Sequence, residues 1–257
     1  NIKNTIGVLY ELIVIDNPGK MGIAEAYNKG AELAKYDILC FCHEDIIFHT
    51  NDWGTNLENY FSNSSVGLIG VAGNKMYGKA PVGWFDYDYS QRVINIIQHQ
   101  DGTVVNYDVN VEGGVNQIVP VRVLDGVFLC YRKSSGIQFN ESIHGFHAYD
   151  LAISVEALKV GLKNYVSTEI LLEHFSKGKI DKGWYLAMDS FYEYYHEFLG
   201  RLDSQTKDSK EAYKAYILGL NQLGEKKLAN KYWMRFLRKY PLDKFNLHYY
   251  LHSFNKH

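Results

Sequence analysis

Three residues with metal-binding or ionisable side chains directly follow one apolar run. The segment CFCHEDIIF, residues 40–48, places His43, Glu44 and Asp45 after strand-forming residues. Two adjacent carboxylates at the end of a buried strand are costly unless a cation or close hydrogen bonds compensate their charge. Carboxylate oxygens suit Mg²⁺ or Mn²⁺, and an added imidazole nitrogen favours Mn²⁺. The segment therefore predicts a divalent-cation site, and a structural pairing of the acids is the alternative.

Further side chains of the same kinds stand at the ends of other predicted elements. They are Asp16-Asn17, Asp125-Gly126, Asp150 and His174. Because ligands of an open α/β sheet bind beyond the carboxyl ends of its strands, we expect all of these residues to gather at one rim. A divalent ion held at that rim would neutralise a diphosphate.

Each of these positions also has a structural interpretation. Asp16-Asn17 precedes Pro18-Gly19 and fits an Asx turn. Asp150 fits the N-cap of the helix that follows it. An isolated histidine such as His174 is usually a satisfied core or surface residue. The local sequence leaves these alternatives open.

The elements that must position these residues alternate between strands and helices. Apolar, β-branched residues predict buried strands over 10–16 and 36–42, and an amphipathic helix over 21–35 joins them into a right-handed βαβ unit. A helix after Trp53, running through Leu57 and Tyr60-Phe61, and a strand over 66–73 continue the alternation. The pattern predicts an α/β fold with a mostly parallel sheet flanked by helices.

The next part of the chain supplies the other half of the predicted rim. Residues 74–117 form a long excursion with a hairpin, and the segment GWFDYDYSQR (83–92) fits an aromatic lid, an acceptor platform or a self-packed loop. Strand-like runs within 116–133 surround Asp125-Gly126, and a helix after Asp150 stops near Gly161. A strand that ends at His174 and a helix over 184–200 follow.

The composition changes after Gly200. A polar, Lys-containing link precedes two amphipathic helical segments and a third possible helix, in a spacing similar to one tetratricopeptide unit. We therefore predict a domain over 1–200 and a helical C-terminal extension over 201–257. The extension offers a surface for protein binding or self-association.

Charge and hydropathy exclude several classes of partner. The chain carries 27 Lys and Arg against 29 Asp and Glu, for a net charge of −2, and has no basic tract suited to nucleic acid. No apolar run reaches the roughly 20 residues that span a bilayer, and no signal peptide opens the sequence. These features predict a cytoplasmic protein, with peripheral contact at the inner membrane face as a further option.

Cysteine and aromatic usage are less specific. Cys40, Cys42 and Cys130 lie in apolar strand-like runs, which predicts reduced core thiols rather than disulfides or a thiolate metal site. The aromatic content of 15%, with 21 tyrosines, is compatible with sugar stacking and equally with core packing.

Several motifs in a fixed order resemble one enzyme family. ELIVIDN and GIAEAYNKGAELAKYDILCFCHED resemble the nucleotide-binding half of GT-A fold glycosyltransferases of family 2, in particular a bacterial branch with a His-x-Asp form of the DxD motif. VLDGVFLCYRK, FNESIHGFHAYDLAISVEALKVGL and LLEHFSKG resemble the acceptor half. The resemblance covers about residues 8 to 198. It implies a GT-A, Rossmann-like fold and transfer of a sugar from a nucleotide-diphospho-sugar, UDP- or GDP-linked, to a glycan, lipid-linked or other hydroxyl acceptor.

The resemblance also implies a role for each candidate residue. It assigns base contact to Asp16 with Asn17 beside it, and ribose contact to Glu44. It assigns metal binding to Asp45 with His174, a position near the donor sugar to Asp125-Gly126, and the general base of an inverting displacement to Asp150. His43 is a further candidate metal ligand, which either joins Asp45 and His174 or packs beside them. The implied metal is Mn²⁺ or Mg²⁺.

The sequence departs from the family pattern at three places. No counterpart of the family's first strand precedes Asn1, so an upstream segment is expected to be missing or disordered. His43 replaces the first acid of the DxD motif, and Tyr149 replaces the Glu that precedes the family's base. Two alternatives follow: a catalytically silent sugar-binding or partner-binding module, and a nucleotidyltransferase whose phosphate loop would be the weak motif NPGKMG.

Overall fold

The computed structural model describes residues 1–78, 80–110, 118–176, 178–202 and 210–254. The helices are α1 (Ile2–Thr5), α2 (Ile23–Leu33), α3 (Trp53–Phe61), α4 (Tyr149–Lys159), α5 (Lys182–Leu202), α6 (Lys210–Gln222), α7 (Lys226–Lys239) and α8 (Lys244–Phe254). The strands are β1 (Ile38–Cys42), β2 (Ile46–Phe48), β3 (Val66–Gly70), β4 (Ala72–Asn74), β5 (Arg92–Gln100), β6 (Thr103–Val109), β7 (Ile118–Val121), β8 (Val123–Leu124), β9 (Phe128–Arg132), β10 (Lys163–Ser167) and β11 (Leu172–His174).

The strands form two sheets. The first has the order β1-β9-β3-β10-β7, and the second has the order β2-β11-β5-β4-β8, with β6 paired to β5. The pairs β10–β3 and β11–β5 are parallel, and the other described pairs are antiparallel. Partly parallel sheets with flanking helices and a helical C-terminal part confirm the predicted α/β fold class.

The predicted strand over 10–16 is wrong. Residues 8–16 form no helix or strand, and the side chains of Leu12 and Val14 are 69% and 80% exposed. Among the described residues no strand pairs with this segment, so its apolar, β-branched composition has no ladder to join. The predicted βαβ unit is therefore absent from the described part, and β1 instead pairs antiparallel with β9.

The apolar run over 66–73 divides between the two sheets. Its first part is β3, beside β9 and β10, and its last residues begin β4, beside β5 and β8. The predicted hairpin in the excursion is confirmed as β5 and β6, which turn at Asp101-Gly102 with both residues at positive φ. Residues 111–117 of that excursion lie outside the described residues.

Helix α4 lies between two parts of the core. Its residues Leu151 and Val155 pack in one buried cluster, whereas Ile153 and Ala157 pack in another. A helix buried on opposite sides needs apolar residues around much of its circumference. This placement fixes the first turn of α4, which carries Tyr149 and Asp150, against the sheets.

The C-terminal helices share a core with the rest of the chain. One buried cluster contains Tyr77 of the excursion, Leu151 of α4, Phe191 of α5, Tyr216 of α6 and Tyr232 of α7. Burying one such large apolar side chain stabilises a fold by ~1.5–3 kcal/mol. The three predicted C-terminal helices are confirmed as α6, α7 and α8, and the boundary at residue 200 remains a prediction, since residues 203–209 lie outside the described part.

Buried tyrosines account for much of the aromatic excess. Tyr77, Tyr131, Tyr195, Tyr216, Tyr232 and Tyr249 are among the largest fully buried side chains. The cysteines are free as predicted, but only Cys130 is buried; Cys40 is exposed and Cys42 is partly exposed. Across the described residues, no helix is both long enough and apolar enough to span a bilayer.

Candidate metal and base site

The segment predicted to bind a metal ion is the connection between β1 and β2. After β1 ends at Cys42, the backbone N–H of His43 donates to the carbonyl of Val127 at 3.1 Å. The carbonyl of Asp45 accepts from the N–H of Phe175 at 3.1 Å, one residue beyond β11. The connection is therefore held between the start of β9 and the end of β11.

Strand register brings His174 to the same place. In β11, His174 lies opposite Ile46 of β2 on one side and Gln98 of β5 on the other. His174 is buried, at 7% exposure, while His43 and Asp45 are partly exposed. The buried histidine thus forms the floor of the cluster and the other two residues face its opening.

Three donor atoms converge within one small volume. Nδ1 of His43 lies 3.2 Å from Nε2 of His174, and Oδ1 of Asp45 lies 3.4 Å from that Nε2 and 4.0 Å from that Nδ1. Ligand atoms about 2.0–2.2 Å from one ion lie about 3.0–3.5 Å apart at tetrahedral or octahedral angles. Within the described part of the chain, these three residues are the group whose ligand atoms lie close enough together to hold a metal ion.

The protonation states of the cluster suit a cation. Burial lowers the pKa of His174, against the opposing effect of Asp45, and so favours the neutral ring with a free lone pair. Burial acts to raise the pKa of Asp45, but a hydrogen bond from Ser176 and the nearby His174 outweigh it, and the pKa lies below its usual value. Metal ligands must be deprotonated, so both shifts favour binding.

Asp150 lies in the first turn of α4 and not at its N-cap. The N-cap is Ala148, in a left-handed conformation, and Oδ1 of Asp150 accepts from the N–H of Leu151 at 2.9 Å. The capping interpretation is therefore wrong. The side chain keeps some contact with solvent, yet surrounding protein atoms and the nearby carboxylate of Asp125 raise the pKa of Asp150 to about 7.

Asp125 is held on both carboxylate oxygens. Oδ1 accepts from the N–H of Val127 at 2.8 Å, and Oδ2 accepts from the indole Nε1–H of Trp84 at 2.9 Å. Trp84, which the sequence suggested as a flat face for a sugar, therefore also orients an acid beside Asp150. The structure brings Asp125 and Asp150 close enough for their charges to interact.

Tyr149 connects the metal-binding cluster to this acid pair. Its hydroxyl lies 3.2 Å from Nε2 of His43 and donates to the carbonyl of Gly126 at 3.1 Å. The N–H of Gly126 in turn donates to Asp150. A short hydrogen-bonded route thus leads from His43 through Tyr149 and Gly126 to Asp150.

The remaining predicted residues lie apart from this network. Oδ1 of Asn17 accepts from the N–H groups of Lys20 and Met21 at 3.1 and 3.0 Å, so its bonding is local, but it reaches three and four residues along the chain and not the two of an Asx turn. Asp16 and Glu44 are exposed. No hydrogen bond of the described residues joins Asp16, Asn17 or Glu44 to the cluster, and their nucleotide contacts stay predictions.

Two residues of the site were not identified as functional by sequence reasoning. Gln98 contacts His174, and Ser176 contacts both His174 and Asp45. A polar residue in the apolar strand RVINIIQHQ was the available signal for Gln98. The only sequence signal for Ser176 was its position two residues after His174.

The donor set fits a divalent transition-metal ion. It combines two imidazole nitrogens with one carboxylate oxygen, an arrangement that suits Mn²⁺ or a similar ion better than an all-oxygen site would. The lowered pKa values of His174 and Asp45 remove the proton competition that would oppose binding.

The structure thus combines an α/β fold with partly parallel sheets, a cluster that could hold a cation, and a nearby acid with a raised pKa. A comparison with protein-family models identifies the family: residues 1–199 match the glycosyltransferase-like family, and the chain belongs to it. A search of curated proteins found no significant match.

Proposed function

We propose that the protein is an inverting, metal-dependent glycosyltransferase of the family 2 type, which moves a sugar from a nucleotide-diphospho-sugar to a hydroxyl acceptor. The observation that carries the proposal is the hydrogen-bonded route from His43 through Tyr149 and Gly126 to Asp150, which joins a candidate metal site to a carboxylate whose pKa is raised to about 7. A base beside a cation site suits displacement at the anomeric carbon, because the base takes the acceptor proton and positive charge stabilises the departing diphosphate.

The donor diphosphate is proposed to lie against His43, Asp45 and His174. A divalent ion held by these residues would supply positive charge near the departing nucleoside diphosphate, and the two imidazoles in the donor set would favour Mn²⁺ over Mg²⁺. Asp16, Asn17 and Glu44 are proposed to contact the nucleoside, on the family resemblance. Asp125 and Gly126 are proposed to lie beside the donor sugar, because Gly126 contacts both Tyr149 and Asp150.

Asp150 is proposed to act as the general base. Its carboxylate accepts the proton of the acceptor hydroxyl while the acceptor oxygen bonds to the anomeric carbon and the bond from that carbon to the diphosphate oxygen breaks, with inversion. A base with a pKa of about 7 is deprotonated in half of the molecules at neutral pH and remains basic enough to take the proton. Asp125 and Trp84 hold the region around it in place.

The acceptor is proposed to rest on the aromatic segment next to Asp125. Trp84 contacts Asp125 through its indole N–H, and the rings of Phe85 and Tyr89 are 45% and 59% exposed. Exposed aromatic rings offer apolar faces with which sugar C–H groups can pack. This placement favours a glycan or lipid-linked glycan as the acceptor. The proposed location, in the cytoplasm or at the inner membrane face, rests on the sequence alone.

Calorimetric titration with UDP and GDP, each with and without Mn²⁺, tests the donor site. We expect nucleotide binding that depends on Mn²⁺ and is lost in Asp45→Ala, while the control Asp108→Ala, at an exposed position of β6, binds as the unsubstituted protein does. Unchanged binding in Asp45→Ala would disprove the metal assignment.

A panel of nucleotide-sugars tests the reaction itself. Donor hydrolysis or transfer that disappears in Asp150→Asn, with Mn²⁺-dependent nucleotide binding retained, supports the proposed base. Nucleotide binding without turnover on any donor favours a silent binding module. Release of pyrophosphate from a nucleoside triphosphate and a sugar phosphate would instead indicate a nucleotidyltransferase.

A further inference from the structure

We propose that Gln98 and Tyr149 are positioning residues that set the tautomers of the two metal-binding histidines. They hold His174 with its proton on Nδ1 and His43 with its proton on Nε2, so that the lone pairs of both rings point at one ion. This inference rests on the metal site of the proposed function and adds two residues to it.

The Gln98 amide determines the tautomer of His174. Its Nε2 group lies 2.9 Å from the carbonyl oxygen of His99 and 2.6 Å from that of Ser176. Carbonyl oxygens only accept, so the NH₂ group must face them and Oε1 must face His174, whose Nδ1 is 3.0 Å away. Because Oε1 has no proton to give, Nδ1 of His174 carries one and its Nε2 is left with a lone pair.

Tyr149 determines the tautomer of His43 by the same reasoning. The hydroxyl of Tyr149 has three neighbours: the carbonyl of Gly126, the hydroxyl of Tyr27 and Nε2 of His43. The carbonyl only accepts, so it takes the single proton of Tyr149, while the hydroxyl of Tyr27 carries a proton of its own and can donate to one lone pair of the Tyr149 oxygen. Since the hydroxyl has one proton, its oxygen accepts from Nε2–H of His43 at 3.2 Å. The Nδ1 atom of His43 then keeps its lone pair. The opposite tautomer would leave the buried carbonyl of Gly126 without a donor, which is unfavourable.

The two tautomers create a site that attracts a cation. Two lone pairs, on Nδ1 of His43 and Nε2 of His174, face each other across 3.2 Å, beside the carboxylate of Asp45. Facing lone pairs repel each other unless a positive centre lies between them. Hydrogen bonds from the outer side of a ligating histidine fix its ring and raise its basicity, which is the role assigned to Gln98 and Tyr149.

Titration of the protein with Mn²⁺ alone tests the proposal. Electron paramagnetic resonance of the free ion measures how much Mn²⁺ is bound. We expect Gln98→Leu and Tyr149→Phe each to weaken Mn²⁺ binding by about 10–100-fold, the usual effect of removing such a partner. Matched controls are Gln100→Leu, two residues along the same strand, and Tyr131→Phe, a buried tyrosine stacked on Phe41. Both controls should bind Mn²⁺ within about twofold of the unsubstituted protein, since neither contacts a metal-binding histidine.

The outcomes separate this inference from the proposed function. If Mn²⁺ binding is lost in Asp45→Ala but unchanged in Gln98→Leu and Tyr149→Phe, the positioning role of Gln98 and Tyr149 is overturned. That result would leave the proposed metal site standing. Failure of the unsubstituted protein to bind Mn²⁺ overturns both. Equal weakening in the controls overturns the inference too, because it would show a general packing effect.

A spectroscopic measurement on the unsubstituted protein avoids any folding defect of the variants. Imidazole ¹⁵N chemical shifts in the Zn²⁺-loaded protein distinguish a protonated ring nitrogen from a metal-bound one. We expect protonated Nε2 and bound Nδ1 in His43, and the reverse in His174. The opposite assignment for either ring would contradict the proposal.

Discussion

Nδ1 of His43 lies 3.2 Å from Nε2 of His174, although the two residues are 131 positions apart in the sequence. One imidazole comes from the connection after β1 and the other from the last residue of β11. With Asp45 beside them, the two imidazoles form a compact set of candidate metal ligands that contains two nitrogens and one carboxylate oxygen.

The nitrogen-rich donor set predicts that His43→Asp changes which metal is bound. The substitution exchanges an imidazole nitrogen for a carboxylate oxygen, which Mg²⁺ prefers. We expect the ratio of Mn²⁺ to Mg²⁺ affinity to fall by about tenfold, equivalent to ~1.4 kcal/mol. Competition calorimetry with the two ions measures this ratio. His144→Asp, at an exposed loop position, is the control, and an unchanged ratio in His43→Asp would show that His43 does not bind the metal.

The raised pKa of Asp150 predicts the pH dependence of transfer. The base must be deprotonated, so with a pKa of about 7 the rate should fall about tenfold for each pH unit below that value. Because the charge of Asp125 contributes to the shift, Asp125→Asn should move the inflection to lower pH. Rates of donor consumption from pH 5 to 9 locate both inflections. An inflection that stays in place in Asp125→Asn would contradict the electrostatic coupling.

The same pKa shift predicts that Asp150→Asn stabilises the protein in alkaline solution. An unfolded aspartate has a pKa of about 3.9, so between about pH 4 and 7 the folded protein keeps a proton that the unfolded chain has released. The free energy of unfolding therefore decreases over this interval, and the loss is complete above about pH 7.

Asparagine removes this charge penalty while its amide oxygen can still accept from Leu151. At pH 8 we expect the melting temperature of Asp150→Asn to exceed that of the unsubstituted protein by about 2–4 °C, the shift that ~1 kcal/mol produces at this chain length. The difference should shrink as the pH is lowered toward 4. Thermal melts across this range provide the measurement. If Asp150→Asn gains less melting temperature over the unsubstituted protein at pH 8 than at pH 5, the raised pKa of Asp150 is contradicted.

The close approach of Gly126 and Tyr149 predicts that Gly126→Ala disturbs the site. A Cβ at Gly126 would overlap the hydroxyl and ring of Tyr149. Overpacking of this kind typically costs about 1–3 kcal/mol, and displacement of the hydroxyl should also weaken Mn²⁺ binding. Gly178→Ala is the control, because no heavy atom lies within 4 Å of its Cβ position. Equal stability and equal Mn²⁺ affinity of the two variants would show that Tyr149 can move without consequence.

Much of the element order was predictable from local patterns. The amphipathic spacing that begins at Ile23, the apolar run that ends at Cys42 and the segment that ends at His174 correspond to α2, β1 and β11. These predictions succeed because side-chain periodicity reflects which face of an element is buried. The segment over 10–16 shows the limit, since a strand exists only where another strand supplies its hydrogen bonds.

The sequence by itself determined the candidates for the proposed chemistry: His43 and Asp45 after a strand, His174 at the end of another, and Asp150 near a helix start. Only the tertiary structure decided their relations. The register of β11 against β5 places Gln98 beside His174, and the docking of α4 places Tyr149 between His43 and Gly126. Such contacts depend on the pairing of distant strands and the packing of a helix against them, and no local pattern encodes either one.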